Sequence, residues 1–244
     1  MKGKVILVFI FSTCLLSLKG QETDTLFKAF KSYSHPIGCG KIKVDTVFYD
    51  NNSIKLLHFY KDESHVKTIK FYKSGKKQLE SNKLNGKSDG PFIEWYESGA
   101  MRTFVFSSEG VSIGVYYYEN GQVQKVYNRQ NRKYIGIVRE WWDNGVLKYE
   151  IDYSKKEQKV CYANKNGEVW ISGTMIDGVY WSGLWKEYHP NGKIKTSGEY
   201  IPSSVDKGIS IPVGTWKEFN LKGKIIKKII YENGVVKSKK EFKN

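Results

Sequence analysis

The chain has 244 residues, with 40 Lys and Arg against 25 Asp and Glu, a net charge of +15, and 17 Tyr, 12 Phe and 7 Trp. The charge directs attention to anionic partners but does not define a fold. No Ser-His-Asp order, nucleophile elbow, phosphate loop or Cys-x-x-Cys pair occurs, so the sequence offers an enzyme no residues to work with, and no cofactor is expected.

Residues 1–20 have the form of an export signal. Lys2 and Lys4 precede the apolar run Val5 to Leu18, and Leu18-Lys19-Gly20 offers a cleavage point near Gly20. The run is short for a bilayer span, and Phe11-Ser12-Thr13-Cys14 is only a faint lipobox. Cleavage removes three lysines and no acid, leaving +12 on an exported chain in the periplasm, at the outer surface or secreted. An exported chain with few arginines is a poor fit to nucleic acid.

Residues 21–43 have no repeat grammar and read as an N-terminal leader or cap. From 44 to 244 the chain repeats. Asn52, Gly75, Gly99, Gly121, Gly145, Gly167, Gly192 and Gly223 are anchors separated by 23, 24, 22, 24, 22, 25 and 31 residues. Four positions before them stand Phe48, Phe71, Trp95, Tyr117, Trp141, Ala163, Tyr188 and Phe219, aromatic in seven of eight units. Two positions after them stand Ile54, Lys77, Met101, Val123, Leu147, Val169, Ile194 and Ile225, apolar in seven of eight.

Asn-Gly at 120–121, 144–145, 166–167 and 191–192 is a strong hairpin signal, and the expected turn has positive φ at both central residues. A second turn follows eleven residues later at Gly86, Gly110, Gly178 and Gly234. Each period is therefore two strands and two reversals. The expected fold is all-β, an elongated single-layer antiparallel meander of about eight hairpin repeats. The long final step is assigned to an inserted loop at 201–213 with two prolines.

Gly183-Leu184-Trp185-Lys186-Glu187-Tyr188-His189-Pro190-Asn191-Gly192-Lys193-Ile194-Lys195 and Gly214-Thr215-Trp216-Lys217-Glu218-Phe219 resemble the bacterial variant of the MORN repeat. Asn85-Gly86-Lys87-Ser88-Asp89-Gly90 resembles its second turn. The resemblance covers roughly residues 44 to 242 and departs at Ala163-Asn164 and at Asn52. It implies a non-catalytic extended sheet. Many similar bacterial proteins carry the label of a YwqK-like antitoxin, which the repeat type implies only weakly.

The candidate binding surface is the aromatic set Trp95, Tyr117, Trp141, Trp142, Trp185, Tyr188 and Trp216, with Lys227, Lys228, Lys239 and Lys240. The competing reading makes the rings the core, with cross-strand aromatic pairs stabilising the sheet; both hold if each takes one face. Recurring Glu94, Glu140, Glu187 and Glu218, with Lys55, Arg102, Lys148 and Lys195, are read as solvated charge ladders, because repeats give each Glu the same environment and acid–base catalysis needs two different ones. The C-terminal lysines either guard a sheet edge, the favoured reading, or meet an anionic surface. His35, His58, His65 and His189 are scattered, and no metal site is expected.

The function that follows is an exported, non-catalytic scaffold presenting an aromatic and basic surface to a protein partner at the cell envelope. The alternatives are an antitoxin or immunity protein that occludes a toxin, and a peripheral binder of anionic lipid or polysaccharide. Five repeats separate Cys39 from Cys161, so the two thiols should stay apart. The mature monomer, denatured without reductant, is expected to react with two equivalents of a thiol reagent; zero free thiols would refute the linear arrangement.

Overall fold

The computed structural model describes residues 41–206 and 208–242. The export signal, nearly all of the cap, Cys14, His35 and Cys39 lie outside these residues. Among the described residues there is no helix, and so none long and apolar enough to cross a membrane. The chain forms two compact units, divided between Ile113 and Gly114.

In the first unit the strands are β1 (Ile42–Phe48), β2 (Ile54–Lys61), β3 (Ser64–Phe71), β4 (Lys77–Leu84), β5 (Lys87–Ser88), β6 (Gly90–Trp95) and β7 (Met101–Ser108). They pair in the order β1-β2-β3-β4-β6-β7, with the short β5 also on β4. β8 (Val111–Tyr117) contains the division. The second unit continues with β9 (Val123–Gln130), β10 (Lys133–Trp141) and β11 (Leu147–Asp152). A seven-stranded sheet follows in chain order: β12 (Glu157–Ala163), β13 (Val169–Ile176), β14 (Tyr180–Tyr188), β15 (Ile194–Pro202), β16 (Ser210–Phe219), β17 (Ile225–Glu232) and β18 (Val235–Glu241). The all-β antiparallel meander expected from the period is therefore the fold.

The two reversals of each period differ in chemistry. At the anchor turn the Gly121 N–H donates to the Tyr118 carbonyl and the Tyr118 N–H to the Gln122 carbonyl, at 2.9 and 2.8 Å. Seven other anchors repeat this pattern, Tyr49 and Asn52 included. Gly121 has φ +84°, whereas Asn120 is not in the left-handed region. The expectation of positive φ at both residues is thus corrected: only the anchor is left-handed, as in a turn closed by a glycine bulge. Asn52, at φ 61°, substitutes for glycine because asparagine tolerates this region.

The eleven-residue turn is the one with both residues left-handed. It occurs at Asn85-Gly86, Glu109-Gly110, Asp177-Gly178 and Asn233-Gly234, and also at Asp62-Glu63 and Asn131-Arg132, which have no glycine. Between β11 and β12 the corresponding residues Ser154-Lys155-Lys156 include no left-handed one. Asp152 instead accepts from the Ser154 N–H and hydroxyl, and the ladder is interrupted there. The interval read as an inserted loop is strand at both ends: Tyr200, Ile201 and Pro202 pair with Pro212, Ile211 and Ser210, which shortens the loop to 203–209.

At the anchor hairpins the register shifts just before the aromatic position, as at Glu140/Trp141, Glu187/Tyr188 and Glu218/Phe219. The core is thin. Its largest fully buried side chains include Phe104 in the first unit and Val115, Val126, Val138 and Val160 in the second. Glycines inside strands let rings lie on the backbone: a Cβ on Gly198 would overlap the Trp216 indole, and one on Gly114 the Tyr127 ring. Gly198→Ala should therefore lower stability by about 1–3 kcal/mol. The urea midpoint measures the loss, and an unchanged midpoint would show that the indole is free to move away.

Candidate functional site

At five anchors the residue three positions before ties its repeat to the next. The Tyr49 hydroxyl donates to the Phe71 carbonyl at 2.8 Å, and Tyr72 to Trp95 at 2.7 Å. In the second unit the Tyr118 hydroxyl donates to the Trp141 carbonyl, the Trp142 indole N–H to Ala163 and the His189 ring to Phe219, each at 2.9 Å. All five acceptors sit at the register shift, where the ladder leaves a carbonyl to be satisfied otherwise. The asparagine before the anchor makes a parallel set: Asn120 Nδ2 to the Asp143 carbonyl and Asn144 to Lys165 at 2.7 Å, and Asn191 to Leu221 at 2.9 Å. Three of the four anchor asparagines are thus donors to the next repeat, while Asn166 bonds to Glu168 in its own turn.

Three of the four recurring glutamates are paired. Lys148 Nζ lies 2.8 Å from Glu140, Lys195 2.7 Å from Glu187 and Lys227 2.7 Å from Glu218. Lys55, Arg102 and Lys148 also stand over the Tyr49, Tyr96 and Trp142 rings. Burial would raise the Glu140 carboxyl. Hydrogen bonds from Lys148 and Tyr149 and the charges of Lys148 and Lys125 outweigh it and hold the group below its usual 4.5. Tyr149 is pushed up by burial and by donating to Glu140. These are structural ion pairs, and their local environments are more defined than solvated ladders would be.

The candidate surface residues do not form one site. Trp95 belongs to the first unit, half-buried, with Lys77 Nζ 5.3 Å from its ring centroid. In the second unit Tyr117 is 5% exposed and Trp216 8%, so both are core rather than contact surface. Trp141, Trp142, Trp185 and Tyr188 are half-buried. Trp185 and Trp216 meet at 5.7 Å, while Tyr188 meets Ser172 at 3.0 Å. Lys227 is bound to Glu218 and Lys239 to Glu241; Lys228 and Lys240 flank the Phe242 ring.

The structure adds a track of rings in the second unit that the −4 register does not reveal. Tyr116, Tyr127, Tyr134 and Tyr153 are in successive contact at 5.6, 5.8 and 5.2 Å. Lys125 lies over both Tyr134 and Tyr149. Tyr149 meets Tyr162, which meets Trp170 and Trp181. Trp181 and Trp185 both press on Gly173, and Trp185, Tyr200, Trp216 and Tyr231 complete the series. Trp170, at 45% exposed, is its most accessible ring. A sequence signal existed: Tyr60, Tyr153, Tyr200 and Tyr231 all stand eight residues after an anchor.

Residues 113–131, 134–155, 181–201, 212–233 and 227–244 match the MORN repeat variant. These segments are similar to that repeat. No curated protein matches the chain. The MORN-type segments of the second unit carry most of the ring track, and the unmatched interval between 155 and 181 contains β12, where Ala163 stands at the aromatic position. In the first unit, His58 and His65, expected to be scattered, come within 5.2 Å and share the Thr68 hydroxyl. Among the described residues no group of three or more His, Cys, Asp or Glu could hold a metal.

The depressed Glu140 pKa fixes a sign. Its contribution to stability is present above the unfolded value near 4.5 and is lost as pH falls through the folded one. Glu140→Gln should therefore be less stable than the parent at about pH 6 and should approach it by about pH 3. Thermal melts across that range test this, and a gap that widens on acidification would contradict it.

Proposed function

We propose that this protein is an exported, non-catalytic repeat scaffold that holds an acidic protein partner at the cell envelope through the ring track of its second unit. The observation that carries the reading is the track itself, a run of aromatic side chains, buried at Tyr127 and Trp216 and partly exposed elsewhere, interleaved with Lys125 and Arg129. Rings of this kind supply contact area at low entropic cost and are enriched, with arginine, at binding hot spots. The excess of basic residues favours an acidic partner and raises its rate of encounter. An antitoxin that occludes a toxin would be one instance of such a scaffold.

The lysine-rich C-terminus supports edge guarding better than a lipid anchor. β18 is the last strand of its sheet and is exposed throughout, and Lys237 and Lys239 are paired with Glu232 and Glu241. Lysines on an open edge oppose edge-to-edge pairing.

The test uses the chain from residue 21, immobilised and exposed to detergent-solubilised envelope extract, with cross-links mapped by mass spectrometry. An acidic protein should be retained, with cross-links on β9 to β17. Trp170→Ala should weaken retention roughly tenfold, the scale of a hot-spot ring. Retention unchanged by Trp170→Ala, or cross-links confined to the first unit, would overturn the assignment.

A further inference from the structure

Eight residues after an anchor the second unit places Tyr153, Tyr200 and Tyr231, but after Gly121 that position is Arg129. Its guanidinium lies 4.6 Å from the centroid of Tyr127 and 4.5 Å from that of Tyr134, and donates to the Tyr134 hydroxyl at 2.7 Å. Nε is shut off from solvent and has no partner among the described residues. None of their carboxylates is paired with Arg129; Glu140, opposite Lys125 on β9, is engaged by Lys125, Lys148 and Tyr149. An arginine has five N–H donors, and among the described residues the side chain of this one donates to Tyr134 alone. Half-buried charge ordinarily finds an opposite charge. Here two rings hold a cation and the described residues supply no anion.

We infer that Arg129, held in the corner where the Tyr127 and Tyr134 rings meet, is the point at which the acidic partner proposed above inserts a carboxylate side chain; the inference rests on that reading. Arg129 as a whole is partly exposed, and the paired donors of a guanidinium match the two oxygens of a carboxylate. Its contacts with the two rings and its bond to the Tyr134 hydroxyl hold it in place in advance, so little side-chain freedom is lost on binding. Arg132 and Lys133, which form and follow the turn joining β9 to β10, add field of the same sign. Past Tyr153, whose ring touches Tyr134, Lys155 is paired with Asp152, leaving Lys156 to add to it. Burial acts to raise the Tyr134 hydroxyl, but hydrogen bonds from Arg129 and Lys125 prevail and lower it, so a carboxylate arriving at Arg129 should move that titration back up.

The probe is a fluorescein-labelled hexaglutamate peptide, followed by anisotropy at ~150 mM salt, where screening is about 8 Å. Arg129→Gln should weaken binding about tenfold or more, and Arg129→Lys, which keeps the charge but not the planar fork, by several-fold. Lys239→Gln with Lys240→Gln, which removes two charges from β18, should cost less than about twofold because exposed charge is screened. In the parent, the Arg129 Nε–H resonance should shift on titration. Melting curves confirm that each variant is folded, and if Arg129→Gln does not fold, Arg129→Lys decides between the outcomes. Binding by Arg129→Gln within twofold of the parent, Arg129→Lys indistinguishable from it, or an equal loss in the β18 variant would overturn the site while leaving an acidic partner in place. No binding of the peptide by the parent even at low salt would overturn both. Tighter Arg129-dependent binding of a sulfated glycan would reassign the site away from a protein carboxylate.

Discussion

The register shift beside each anchor turn is the constraint on which the rest depends. A bulge leaves a backbone carbonyl without a ladder partner, and such a group is expensive unless another donor reaches it. In both units the preceding repeat provides that donor from Tyr49, Tyr72, Tyr118, Trp142 or His189. A hairpin of this kind is therefore incomplete alone. Its turn is satisfied only when the neighbouring hairpin is in place, one period away. This couples neighbours one by one, as expected of repeat architectures, and explains why a donor with a flat ring recurs at the position instead of a simple aliphatic residue.

The same spacing decides where the rings go. A thin core offers few fully enclosed sites, so large side chains lie across the sheet and cover one another. The glycines at 114, 173 and 198 bring the backbone close enough for Tyr127, Trp181 and Trp216 to rest on it. Tyr127 and Trp216 serve the interior by this means, while Trp170 and Tyr162 keep part of their faces in solvent. Core and contact surface are thus drawn from one pool of residues, sorted by depth.

Charge is sorted as well. Glu140, Glu187 and Glu218 each hold a lysine from a neighbouring strand, so those cations are largely neutralised within the fold. The net positive charge that remains for a partner comes from side chains without such a carboxylate. Among these, Arg129 is set apart by the two rings that desolvate it. This gives the basic composition a location, which net charge alone never does.

The period, the antiparallel meander and the positions of both turns were legible in the sequence, because each depends on local chemistry: a left-handed anchor, an eleven-residue arm, an aromatic before the turn. The exact turn type was not legible, since Asn-Gly suits two geometries and the choice follows from the bulge and from Asn120 and Asn144 reaching the next unit. The glycine-free turns at Asp62-Glu63 and Asn131-Arg132 were likewise hidden, as was the interrupted ladder between β11 and β12. For the candidate surface, the residue order establishes that aromatic and basic side chains recur, and no more. Packing of the strands buries Tyr117 and Trp216, pairs Lys227 with Glu218, and sets Arg129 against two rings with no carboxylate of the described residues paired with it. Repetition along a chain fixes what recurs, whereas exposure and pairing depend on the strands that close over each position.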